Sequence, residues 1–199
     1  MKNGQPADVA VINTCTVTHR ADADSLNIIR KAIRQNPKAN IVVTGCLTAF
    51  DIDKIRRIRE VDIIVKIKDQ NKITQLLPRK FNLGIRNVMR KSNTGGITDF
   101  QGHTRVFLKI QDGCNNFCSY CKIPLVRGAS YSRELAEIIQ EARGLVRNGF
   151  KEIVLCGICL GIYGQDLVHR IDIVAHIEQL EAIPGILRIR LSSIEARDV

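Results

Sequence analysis

Apolar residues in this chain come in short runs that alternate with longer amphipathic stretches. Asp8 to Asn13 (D-V-A-V-I-N) is a brief run with β-branched residues and reads as a buried strand. From about Asp22 to Gln35, Leu26, Ile29, Ala32 and Ile33 recur at helical spacing, and Pro37 stops the helix. Ile41-Val42-Val43-Thr44 predicts a second buried strand. A short basic helix near Asp51 to Arg59 and a strand at Val61 to Val65 continue the alternation. A βαβ unit implies parallel strands. Cys15 and Cys46 then sit just past the carboxyl ends of neighbouring strands, on the edge where open α/β sheets place ligands.

The pattern fades from Lys68 to about Thr104, where the text is polar, basic and turn-rich and reads as a connection between two domains. A second series opens with a strand at Val106 to Ile110. Ser132 is placed to cap a helix whose Leu135, Ile138, Ile139, Ala142, Leu145 and Val146 form one stripe, and Gly149 ends it. A strand at Ile153 to Leu155, a glycine-bearing loop, a helix over Ile171 to Ala182 and a strand at Ile186 to Leu191 follow. The order predicts a (β/α) barrel or half-barrel, in which the loops after the strands carry the chemistry. The expected division is 1–67, a connection over 68–104, and 105–199.

Charge and cysteines sharpen the picture. The 199 residues carry a net charge of +10, which suits a polyanionic partner such as RNA. No apolar run reaches membrane-spanning length, and the start has no secretory apolar region, so the expected location is cytoplasmic. Seven cysteines, an odd number in such a chain, argue for metal or redox chemistry over a disulfide framework.

The strongest chemical signal is Asp112-Gly113-Cys114-Asn115-Asn116-Phe117-Cys118-Ser119-Tyr120-Cys121. Three thiolates in C-x3-C-x2-C spacing on one loop suit an iron–sulfur group, and three ligands on a [4Fe–4S] cluster leave one iron open to a substrate. Zinc is the alternative occupant. An electron carrier is disfavoured, because no fourth cysteine lies near. Cys156-Gly157-Ile158-Cys159 has the spacing of a redox pair, but no helix begins at its second cysteine as that motif requires.

C-x3-C-x-aromatic-C is similar to the radical-SAM signature, and Lys109 to Gly128 (K-I-Q-D-G-C-N-N-F-C-S-Y-C-K-I-P-L-V-R-G) resembles the methylthiotransferases within that superfamily. So do Ser132-Arg133, Leu160-Gly161-Ile162-Tyr163-Gly164 and Arg190 to Ala196. I-Q-x-G-C-N-N-F-C and S-S-I-E-A lean toward the branch that modifies threonylcarbamoyladenosine in tRNA. Neighbouring branches act on isopentenyladenosine or on a ribosomal-protein aspartate. The resemblance implies a partial flavodoxin-like parallel sheet followed by a partial radical-SAM (β/α) barrel. It implies a [4Fe–4S] cluster on Cys114, Cys118 and Cys121, with S-adenosylmethionine at the open iron and Tyr120 against the adenine. Gly157, Ser193, Glu195 and Arg133 fall where that cofactor would be held. Asn13 to Val17 and Thr44 to Leu47 look like two of three amino-terminal cysteine motifs, so Cys15 and Cys46 are expected to serve a second [4Fe–4S] cluster. The third motif is expected upstream of Asp8, and the rest of the barrel and an RNA-binding β domain beyond residue 199, so the chain reads as shortened at both ends. The implied partners are tRNA and a reductant such as a flavodoxin or ferredoxin. The competing expectation is a non-catalytic metal-binding module that contacts RNA.

Overall fold

The computed structural model describes residues 7–82 and 104–196. The chain divides into two compact units. One contains the described part of Met1–Val88 together with Phe117–Gly128; the other contains the remainder of the described residues.

In the amino-terminal unit, β1 (Val9–Thr14), β2 (Asn40–Gly45) and β3 (Ile63–Ile64) form a sheet in the order β1-β2-β3. Both pairings are parallel, with Thr14 opposite Gly45 and Val43 opposite Ile64. Burial alternates along β1 and is nearly continuous along β2, as expected for an edge strand beside a central one. Helix α1 (His19–Gln35) starts where Thr18 accepts a hydrogen bond from the Ala21 N–H at 3.0 Å. It buries Ile29 against Ala10, Ile12, Ile41, Val43, Leu47 and Ile55. Two short helices follow β2, α2 (Leu47–Phe50) and α3 (Ile52–Arg56).

The span read as a connection begins with ordered structure. A 3₁₀ turn over Ile67–Lys72 leads into α4 (Ile73–Phe81), which contains Pro78. No residue of α4 is fully buried, and Pro78 within it reads in the sequence as a helix breaker. The rest of that span, residues 83–103, lies outside the described residues. A second difference concerns Phe117–Gly128, which includes α5 (Ile123–Arg127) and groups with the amino-terminal unit.

In the other unit, β4 (Val106–Lys109), β7 (Glu152–Cys156) and β8 (Arg188–Leu191) form a parallel sheet in the order β4-β7-β8. Consecutive βαβ steps therefore give neighbouring strands, as in the opening of a (β/α) barrel. Helices α6 (Leu135–Arg147) and α7 (Ile173–Glu181) supply Ile138, Ala142, Leu145 and Leu180, which pack on Val106, Leu108, Ile153 and Leu155. Gly149 has φ +91°, in keeping with its place just past α6. Ser132 is not the cap of α6. It lies in β6 (Tyr131–Ser132), paired antiparallel with β5 (Gln111–Asp112), and Glu134 holds the cap position without a side-chain hydrogen bond. Its hydroxyl accepts from the Gly164 N–H at 2.9 Å, and its own N–H donates to Asp166 at 2.8 Å. Ladder pairing takes precedence over capping at this serine.

His176 in α7 is fully buried, with its ring edge-on to Tyr163 at 4.6 Å. Burial pushes its pKa down to about 4. The unfolded chain would protonate this ring near 6.5, so stability is complete above that pH and is lost as pH falls through about 4. Acidification from pH 7 to 4 is expected to remove on the order of 3 kcal/mol through this residue. Denaturant titrations of His176→Phe across that range should lack this component. At the other sheet, Gly45 has φ +100°, and a Cβ there would lie 2.2 Å from the Thr14 carbonyl oxygen. Gly45→Ala is therefore expected to cost more than ~2 kcal/mol of unfolding free energy, measured the same way.

Candidate functional site

Cys15 and Cys46 each follow a strand residue of one paired position, Thr14 opposite Gly45. The Cys46 N–H donates to the Thr14 carbonyl at 3.0 Å, and the Thr14 hydroxyl donates to the Thr44 carbonyl at 2.6 Å. These bonds tie the two strand ends together. Ser25, on the buried face of α1, clamps the backbone of Cys15 in both directions. Its hydroxyl accepts from the Cys15 N–H at 3.0 Å and donates to the Cys15 carbonyl at 2.9 Å. Cys15 is exposed and Cys46 is buried.

The same unit carries Cys118, Cys121 and α5. Cys118 is exposed and Cys121 half-buried, and the Cys121 N–H donates to the Cys118 carbonyl at 2.9 Å. Tyr120 is 87% exposed. Lys122 reaches the buried carboxylate of Asp22 at 3.5 Å and lies 4.2 Å from the Phe50 ring centre. Asp22 also accepts a hydrogen bond from the Thr16 hydroxyl. Burying a carboxylate is costly without such partners. At the far end of α5, the Arg127 Nε–H donates to Cys46 Sγ at 3.1 Å.

In the other unit, the loop bearing Cys114 leaves β5 through Gly113, at φ +69°. Cys114 is buried, and the Asn116 N–H points to its Sγ at 3.5 Å. Hydrogen bonds to cysteine sulfur are among the features that tune iron–sulfur groups. Asn115 accepts from the Ser130 N–H at 3.0 Å, which holds the two ends of the excursion together.

Gln111 is the organising side chain here. It is 1% exposed. Its amide N–H₂ donates to the Asp112 carbonyl at 3.1 Å, the Gly113 carbonyl at 2.8 Å and the Ser130 hydroxyl at 2.9 Å. Its carbonyl oxygen accepts from the Ile158 and Cys159 N–H groups at 2.7 and 3.1 Å. One amide thus joins the root of the cysteine loop to the loop after β7. Each buried N–H left unpaired would cost about 1–3 kcal/mol, so the bridge is strongly held. Gly157 is required at this point, because a Cβ would come 2.6 Å from Leu160 Cδ2 and 2.9 Å from the Gln111 oxygen. The Gly157 N–H reaches the Ser192 hydroxyl at 3.4 Å, and the Ser193 carbonyl accepts from the Leu160 N–H at 2.9 Å. The loops after β5, β7 and β8 are thereby joined along one edge.

Among the expected site residues, Gly157 and Ser193 come to this edge, and Glu195 lies exposed just beyond β8. Arg133 is engaged elsewhere. It donates to the Lys109 carbonyl at 2.7 Å and pairs with the buried Glu141 at 2.8 Å. Burial raises the Cys156 thiol pKa, the opposite of what a redox pair needs. The roles of Gln111, Ser25 and Asp22 are not legible in the sequence, because their partners lie in other loops. A polar side chain between an apolar strand and a cysteine loop was the available signal for Gln111.

The thiol-only donor set of Cys114, Cys118 and Cys121 is of the chemistry that suits an iron–sulfur group. Among the described residues, no three His, Cys, Asp or Glu side chains are gathered closely enough to hold a metal ion.

Residues 1–66 match the model of the Uncharacterized protein family UPF0004, and residues 108–198 match that of the Radical SAM superfamily. The chain is 43% identical to the threonylcarbamoyladenosine tRNA methylthiotransferase MtaB of Bacillus subtilis (strain 168), over 98% of this chain and 45% of that protein. It is 40% identical to MtaB of Chlamydia pneumoniae, over 98% of this chain and 44% of the relative. It is also 34% identical to the ribosomal protein uS12 methylthiotransferase RimO of Sulfurihydrogenibium sp. (strain YO3AOP1), over 95% of this chain and 42% of that protein. The chain belongs to the radical-SAM methylthiotransferase family, and it spans about half the length of the curated relatives it matches.

Proposed function

We propose that this chain provides the cluster- and S-adenosylmethionine-binding part of a cytoplasmic tRNA methylthiotransferase that acts on N6-threonylcarbamoyladenosine at position 37. The observation that carries the reading is the Gln111 bridge, which joins the root of the C-x3-C-x2-C loop to the Gly157 loop. Cys114, Cys118 and Cys121 are the residues that would hold a [4Fe–4S] cluster, and Cys15 and Cys46 would contribute to a second. When bound, the first cluster supplies an open iron for the amino and carboxylate groups of S-adenosylmethionine and the electron for its cleavage. The chain's own residues bind and orient. Gly157 leaves room for the backbone to approach the methionine moiety, Tyr120 offers a ring to the adenine, and Ser193 and Glu195 add polar groups beyond β8. Arg133 contributes by bracing the end of β4 against α6 through Glu141. The positive charge of the chain suits a tRNA substrate, and the identity to MtaB proteins favours that substrate over the ribosomal protein of the RimO relatives. The electron would come from a flavodoxin or ferredoxin.

Anaerobic reconstitution followed by electron paramagnetic resonance tests this reading. The reduced protein is expected to show a [4Fe–4S] signal that shifts on adding S-adenosylmethionine, and Cys118→Ala should lose it. Zinc without acid-labile sulfide would instead favour a metal-binding module that contacts RNA. Assay on tRNA against ribosomal protein S12 separates the two substrate classes. Gln111→Leu, close in volume but unable to bridge, is expected to keep its iron yet bind S-adenosylmethionine at least about tenfold more weakly in equilibrium dialysis.

A further inference from the structure

The outward face of α1 concentrates positive charge. Asp22, Ser25 and Ile29 are buried on its inner side. Steps of about 100° per residue put Arg30, Arg34 and Lys31 between about 100° and about 200° around the helix from Ile29. All three are exposed. Arg34 lies at i+4 from Arg30 and at i+3 from Lys31, spacings that bring side chains to about 5–6 Å between Cβ atoms. No Asp or Glu occurs between Ser25 and Phe50, and among the described residues none of the three pairs with a carboxylate. Asp24, earlier on the helix, is taken by Arg20 at 3.9 Å. The basic stretch at α3 differs. There Lys54 pairs with Asp51 at 3.0 Å and Arg56 with Asp53 at 3.1 Å, so its charge is balanced locally.

The fold does not need this arrangement. Like charges at these spacings destabilise a helix. The helix dipole favours cations in the last turn, which holds Arg34 but not Arg30 or Lys31. Nor are the three required as caps. Asn36 donates to the Ala32 carbonyl from its backbone N–H at 2.9 Å and from its side-chain amide at 3.1 Å. The three charges lie within one Debye length of each other, about 8–10 Å at ordinary salt, so their potentials add. We propose that Arg30, Lys31 and Arg34 form a surface that holds the phosphate backbone of the RNA substrate. The inference rests on reading the substrate as RNA and adds where this chain grips it. Arg30 lies about 17 Å along the helix axis from His19, the end of α1 nearest Cys15. A contact there takes phosphates remote from the cysteine-bearing strand ends, and it carries position rather than base identity.

The test is binding of a labelled, unmodified tRNA transcript by the full chain, read by fluorescence anisotropy from about 50 to about 200 mM salt. Three proteins are compared: the unaltered chain, the triple variant Arg30→Gln, Lys31→Gln, Arg34→Gln, and a control triple, Lys54→Gln, Arg56→Gln, Arg57→Gln, that removes the same charge from the balanced stretch. The α1 triple is expected to bind at least about tenfold more weakly, with the slope of log K against log salt reduced by about two to three. The control should lose less than about one in slope. The urea midpoint of the α1 triple should be unchanged or raised, because repulsion along the helix is relieved. If that variant is instead less stable, Arg30→Gln alone decides: a slope reduced by about one at an unchanged midpoint supports the inference, and an unchanged slope overturns it. Equal losses in the two triples reduce the effect to net charge and overturn it. An α1 triple that keeps tRNA binding but loses binding to polyglutamate assigns the surface to an acidic protein and overturns it as well. Unaltered tRNA binding in the α1 triple overturns this inference alone. If the unaltered chain binds no tRNA, the RNA reading beneath it falls too.

Discussion

A parallel strand has one end from which its chain leaves toward the chemistry, and register decides which residues meet there. Thr14 opposite Gly45 places Cys15 and Cys46 one residue beyond a shared ladder rung. Lys109 opposite Cys156 and Leu155 opposite Leu191 do the same for the Gln111, Gly157 and Ser193 loops in the other unit. A slip by one residue would turn every inward side chain outward and separate these groups. Buried Val, Ile and Leu on β2, β4 and β7 hold the register, because each fills its core only in one alignment.

Polar side chains then convert register into loop geometry. Gln111 is the clearest case: an uncharged amide donates through its N–H₂ to one loop and accepts through its oxygen from another, whereas a carboxylate can only accept. Ser25 plays a similar part for Cys15, donating and accepting from one hydroxyl. Each is buried, so the cost of breaking its bonds is not offset by water. Glycines complete the arrangement where no side chain fits. Gly45 takes a left-handed backbone against Thr14, and Gly157 lies against Gln111 and Leu160.

The charged residues near the cysteines divide into two groups. Arg133 is spent on a buried ion pair with Glu141 and on the Lys109 carbonyl, so it stabilises the scaffold. Lys122 is anchored to Asp22, while Arg127 is aimed at a sulfur. From sequence, Arg127 and Arg133 look alike, two arginines flanking one loop. Their difference is set by where α5 and α6 begin and by which unit each helix packs on.

By itself, the sequence determined the alternation of strands and helices, the parallel pairing it implies, the cysteine triplet and the kinship those motifs carry. Each is a local signal: β-branched runs, a 3.6-residue period, a fixed spacing of thiols. The tertiary structure decided what local signals cannot encode. It moved Ser132 from a helix cap into a ladder with Gln111, made an unremarked glutamine the bridge of two loops, and assigned the triplet's trailing helix to the amino-terminal unit. The physical reason is the same in each case: a buried polar atom takes whichever partner the fold brings near, and that partner lies tens of residues away in the chain.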